Sequence, residues 1–146
     1  MSALTRRRFL QTATAAGIGL PALLPARRAR AQAESARLSF ACIGMGGQMR
    51  GYLIPELAKL DQQIVAICDI DQRQRDSALQ SKGLANTRAY HDYRELLEKE
   101  KGVNAVIIAT PNHLHFPVAK AFLDAGIHVV CDKPIALTVD EATALE

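Results

Sequence analysis

Gly44, Gly46 and Gly47, with Met45 between them and Gln48 and Met49 after, bring three glycines into four positions. That spacing could hold an anion through backbone amides alone. Gly44 permits a tight turn, Gly46 lets a pyrophosphate approach the chain, and the amides opening the next helix face the negative charge. Met49 departs from the pattern, because it fills the third position of G-x-G-x-x-G, where a small residue lets the helix pack close to the strand. Taken alone, the run is equally a simple strand-to-helix turn. Asp69 adds a second element of the same chemistry. It stands 25 residues after Gly44 at the end of an apolar run, where a carboxylate can accept hydrogen bonds from the hydroxyls of an adenosine ribose and would repel a 2′-phosphate. These residues favour NAD over NADP, although Arg73 could swing in to pair a phosphate. Asp71 reads more simply as the residue that opens the next helix.

Two further groups of reactive residues lie later in the chain, Thr110-Pro111-Asn112-His113-Leu114-His115 and Cys131-Asp132-Lys133-Pro134. Asn112 and His113 can equally be helix-start residues, since Asn caps helices well. No third ligand is placed to make a metal site of His113 and His115, and none is expected. Cys42, Cys68 and Cys131 each sit within an apolar run and read as small buried hydrophobes rather than as a disulfide framework.

The elements that must position these groups alternate along the chain. Short β-rich runs at 38–43, 63–68, 87–90, 103–109 and 127–131 are separated by helix-like segments, the pattern of a doubly wound α/β domain with a parallel sheet (Rossmann). Helices are expected over 47–60, with Pro55 as a kink, over 72–82 before Gly83, and over 92–101 before Gly102. A fourth is bracketed by Pro117 and Gly126, and Thr138 with Glu141 forms a capping box for a fifth. That short last helix suggests a domain cut rather than finished. Its uncovered strand edge and apolar face would be prone to association.

Together these motifs resemble the glucose-fructose oxidoreductase, inositol dehydrogenase and rhizopine-catabolism family, written Gfo/Idh/MocA. The resemblance extends over residues 37–146 and includes Tyr90-His91-Asp92-Tyr93-Arg94-Glu95-Leu96-Leu97. It implies a nucleotide-binding part of an NAD(P)-dependent oxidoreductase that moves hydride to or from a sugar, inositol or related polyol. By resemblance, Thr110, Pro111, Asn112 and His115 line the crevice near the nicotinamide ribose. Lys133 is the catalytic residue, reaching the substrate hydroxyl whose carbon exchanges hydride and relaying its proton. Asp132 stands where the family more often has Glu, and Pro134 fixes the turn. The family's second domain, an open α/β sheet that supplies an Asp and a His and on which oligomer formation depends, is expected to lie beyond this chain. Two rivals remain. One is the family's NAD-dependent glycosidase branch, which characteristically lacks the lysine; the other is a non-catalytic nucleotide-binding fragment.

The first 31 residues differ in kind from the rest. They hold six of the 18 basic residues and none of the 15 acids, so the remainder is formally −3 and shows no basic face for nucleic acid. Thr5-Arg6-Arg7-Arg8-Phe9-Leu10-Gln11 before a modest apolar stretch resembles a twin-arginine export signal. Ala29-Arg30-Ala31 offers a cleavage site before Gln32, with Ala31-Gln32-Ala33 as the alternative. Gln11, the glycines and Pro21 make the stretch a poor membrane anchor. Periplasmic residence is therefore expected. The twin-arginine machinery is the partner that would carry the folded protein there, with a tightly held NAD already loaded.

Overall fold

The structure, a computed structural model, describes residues 37–146. The proposed leader at 1–31 lies outside the described residues. Five strands form one parallel sheet: β1 (Ser39–Ile43), β2 (Gln63–Cys68), β3 (Arg88–Tyr90), β4 (Ala105–Ile108) and β5 (His128–Cys131), in the order β3-β2-β1-β4-β5. The expected doubly wound α/β architecture is present. Its order reverses at β1, which pairs β2 on one side and β4 on the other. In open sheets of this kind the ligand crevice lies beyond the carboxyl ends of the strands, where the order reverses.

Alternation along each strand builds two cores. Ala41, Ile43, Ala66, Cys68, Val106 and Ile108 point to the face covered by α3 (Tyr93–Lys99) and α4 (His115–Asp124), where Leu96, Val118 and Phe122 meet them. Phe40, Cys42, Ile67, Ala105 and Ile107 point to the other face, against Leu57 of α1 (Ile54–Lys59) and Ala78 of α2 (Gln72–Leu79). Burial on both faces is the reason these strands are apolar throughout. The cysteines belong to this packing: burial pushes the thiols of Cys42 and Cys68 up to about 12 and that of Cys131 to about 11, so none is a ready nucleophile.

The helices differ in detail from the expected spans. After Gly47 the helix opens into wider π turns over Met49–Leu53, with the Ile54 amide donating to the Met49 carbonyl, before α1 begins with Pro55 in its first turn. Proline has no N–H for the carbonyl four residues back, and a wider turn ahead of it accommodates the missing bond. Met49 is thereby buried in the second core. The space that a glycine would leave for a closely packed helix is filled by a flexible thioether, which tolerates such irregular gaps.

α2 stops at Leu79 rather than running to residue 82, because the turns that follow, through Gly83, carry Leu84 into the core before the chain enters β3. Asp71 and Asp92 cap α2 and α3 by accepting the amides of Arg73 and Arg94. The Thr138–Glu141 capping box opens α5 (Val139–Thr143) as expected. No described helix is long and apolar enough to cross a membrane.

Candidate nucleotide-binding site

The turn after β1 is set by packing as well as by conformation. Gly44 has φ +86°, and a Cβ there would lie 2.6 Å from the Ala109 carbonyl oxygen at the end of β4. No other residue fits both demands. Its amide donates to the Cys68 carbonyl at 2.8 Å, so one residue joins the ends of β1, β2 and β4. Gly46 and Gly47 are different: a Cβ on either would meet nothing within 4 Å. The space above them is open, and the helix-opening amides that follow have no partner within the helix. Met45 and Met49 are fully buried, so they can serve a ligand only through their backbones. Gln48 is exposed.

Asp69 follows β2 directly. One carboxylate oxygen accepts the Met45 amide at 2.6 Å and the other the Asp71 amide at 2.9 Å. The carboxylate is held against the glycine turn, and each oxygen keeps a lone pair for a further donor. Arg73 does not reach toward this carboxylate. It pairs with Asp71 instead, its guanidinium otherwise in water, and holds the Asp71 carboxyl below the usual carboxylate range. Arg75 donates to the carbonyls of Asp69 and Ile70 and so braces the same corner.

A mostly apolar cavity of about 300 Å³ opens beside Asp69 and is lined by Ile70, Tyr93, Thr110, Pro111 and Leu114 among others. Ligand pockets begin near this size. Thr110 Oγ1 is buried with no hydrogen-bond partner, an unsatisfied group of the kind a ligand completes. A larger polar groove of about 550 Å³ lies at the opposite strand ends, near Arg37 and Arg88. Those arginines are already paired with Asp61 and Glu100, which leaves no free charge to draw a ligand.

The structure thus brings Gly44, Gly46, Gly47, Asp69, Thr110 and Pro111 to one crest. Thr110 and Pro111 line one cavity with Asp69. Asn112 and His113 are exposed; Asn112 opens a 3-10 turn without capping it through its side chain. His115 does not line the crevice. It is 1% exposed, and its ring lies between two backbone carbonyls, Nδ1 2.7 Å from Pro134 O and Nε2 2.8 Å from Thr110 O. Both ring nitrogens are thus engaged by the chain's own backbone.

Past β5, Asp132 accepts the Lys133 amide through Oδ1, the Lys133–Pro134 peptide bond is cis, and the Lys133 side chain is exposed. Ile70 and Leu114 are cavity residues that the sequence reading missed. Ile70 carried a signal, being an apolar residue set between two aspartates at a strand end.

Residues 38–146 match the oxidoreductase family with an NAD-binding Rossmann fold, Gfo/Idh/MocA. A glycosyl hydrolase family 109 protein of Stenotrophomonas maltophilia is 34% identical over 97% of this chain and 32% of its own length. The inositol 2-dehydrogenase of Salmonella typhimurium is 40% identical over 52% of this chain and 22% of its own length. Among solved structures, myo-inositol dehydrogenase from Lactobacillus casei in complex with NAD(H) and myo-inositol superposes with a TM-score of 0.68. It is 25% identical, over 75% of this chain and 32% of that one. The chain spans about a third of the length of the first curated relatives it matches. With the family's fold, glycine turn and strand-end carboxylate all in place, the chain belongs to the Gfo/Idh/MocA oxidoreductase family.

Proposed function

We propose that this chain holds NAD(H) across the crest of the sheet and that, within a two-domain protein, it serves hydride transfer to or from a hydroxyl-bearing carbon of a sugar, inositol or related polyol. The observation that carries this reading is the Asp69 carboxylate fixed 2.6 Å from the Met45 amide of the glycine turn, beside a cavity whose buried Thr110 hydroxyl lacks a partner. The adenosine ribose would lie on Asp69, the base in the cavity lined by Ile70 and Leu114, and the pyrophosphate over Gly46 and Gly47. The cofactor supplies the hydride chemistry; the chain binds and orients it.

Lys133, exposed at the end of β5, would move the substrate hydroxyl's proton once a second domain closes over it. NADH titration followed by fluorescence tests the binding step: saturable binding that Asp69→Ala abolishes supports it, and binding unaffected by Asp69→Ala removes Asp69 from the site. In a two-domain protein carrying this chain, Lys133→Met is expected to keep nucleotide binding and lose most turnover, and unchanged turnover removes Lys133 from the mechanism.

The same reading includes export. The twin arginines at Arg6 and Arg7 would direct a folded protein through the twin-arginine machinery to the periplasm, with NAD retained. A reporter fused after residue 33 that still leaves the cytoplasm when both arginines are lysines rules this out. No nucleotide co-purifying with the exported protein argues against retention.

A glycosidase reading is kept because relatives named as glycosyl hydrolases align over nearly the whole chain. Lys133 argues for the dehydrogenase, and release of an aglycone from a glycoside substrate decides for the glycosidase.

A further inference from the structure

We propose that His115 is a positioning residue, a clasp that holds the β4 and β5 loops in one register and thereby couples the cofactor crest to the Lys133 turn. The ring sits at the first turn of α4, 1% exposed, and spans the Thr110 carbonyl at 2.8 Å and the Pro134 carbonyl at 2.7 Å. Each carbonyl belongs to a residue beside chemistry. Thr110 lines the cavity with its unpartnered hydroxyl, and Pro134 follows Lys133 directly.

The coupling extends one loop further, because the Ala109 carbonyl fills the space where Gly44 has no Cβ. The β1, β4 and β5 loops therefore form one rim: β1 touches β4 through backbone contact, and β4 joins β5 through the His115 side chain. Both partners are acceptors, so a ring nitrogen donates to its loop when it carries a proton, and the ring donates to both loops when both nitrogens are protonated. A side chain that filled the space without ring nitrogens would take this partner from the part-buried Thr110 and Pro134 carbonyls, and each loop would relax separately.

What the clasp positions rests on the nucleotide reading above; that it joins the loops does not. The test compares amide exchange by NMR in the intact chain with that of His115→Phe, which keeps a ring and removes both ring nitrogens. Leu114 and Lys133 report on the two loops, their amides being held by Pro111 O and Asp132 Oδ1; Val106 reports on the sheet. About tenfold faster exchange at Leu114 and Lys133 together, with Val106 little changed, is expected, since local opening is separable from global unfolding.

His115→Gln, whose amide nitrogen offers two N–H donors, should restore slow exchange in at least one loop, and it takes the place of His115→Phe should that variant fail to fold. An equal rise at Val106 makes His115 a core residue and nothing more. A change at only one loop, or at neither, also overturns the clasp. NADH titration of the same proteins should show about tenfold weaker binding for His115→Phe; equal affinity in the two would sever the clasp from the cofactor site. Failure of the unaltered chain to bind NADH defeats the nucleotide reading, and the exchange comparison still decides the clasp.

Discussion

At Gly44 and Gly46 the same substitution meets opposite surroundings. Alanine at Gly44 combines φ +86° with a carbonyl oxygen 2.6 Å from its Cβ. The left-handed conformation alone costs roughly 1–2 kcal/mol, and moving the β4 end aside adds to it. Gly44→Ala should therefore destabilise by about 2–4 kcal/mol in urea unfolding, and a loss under 1 kcal/mol would mean the turn is looser than described. Alanine at Gly46 meets nothing within 4 Å, so stability should stay within about 0.5 kcal/mol. NADH affinity should nonetheless fall at least about tenfold, because the added methyl occupies the approach of the pyrophosphate. Full affinity in a folded Gly46→Ala protein would move the phosphates elsewhere. If the Asp69 carboxylate meets the adenosine ribose as proposed, Asp69→Ser should weaken NADH and lower the ratio of the NADPH Kd to the NADH Kd by about tenfold.

Among the elements, β3 is short and outermost, and a side-chain cluster ties it down. Glu100, buried at the end of α3, accepts Arg88 in two contacts and the Tyr90 hydroxyl in a third. The Arg88 guanidinium, with help from Tyr90, holds the Glu100 carboxyl below the ordinary carboxylate range despite burial. A carboxyl depressed in the folded state stabilises above its unfolded value, and that contribution disappears as pH falls through the folded one. Glu100→Gln should accordingly lose about 1–2 kcal/mol at pH 7, discounted because Arg88 is largely exposed. Its stability should change less than that of the unaltered chain as the pH is lowered through the acid limb. Parallel curves for the two proteins would show that Glu100 is not the group involved.

None of this cluster was legible in the sequence, since its members meet only after β3 pairs with β2. The sheet itself was legible, because two-sided burial writes itself into runs such as Ala105–Ile108. So were the Asp69 position and the capping box, whose signals are local. The π turns at Met49–Leu53 and the early end of α2 were not, because each depends on where one side chain, Met49 or Leu84, finds space in the core. His115 was placed in the crevice for a related reason: spacing locates a residue on a loop but does not say which way its ring turns.

On the scale of the whole molecule, the two sides of the sheet are unequal. β1, β2 and β4 are covered on both faces, whereas several apolar residues in and after β5 are exposed: Val130 is 52% exposed, and Ile135, Leu137 and Val139 more than half. Among the described residues β5 pairs only with β4, so one row of its backbone groups has no strand partner among them. An edge of this kind invites pairing with another strand, and exposed apolar residues add a driving force of about 25 cal/mol per Å² covered.

The 146-residue chain on its own should therefore show an apparent mass that rises with concentration in light scattering. A lysine at Val130 and a glutamate at Val139 place charge on the edge strand and on the exposed start of α5 without touching either core, so Val130→Lys with Val139→Glu should shift the scattering toward the monomer. The substitutions lie away from Asp69 and the glycine turn, and NADH affinity should not change with them. A chain that stays monomeric throughout would show that this edge does not pair with a second copy. Association that persists unchanged in the double variant would place the contact elsewhere on the surface.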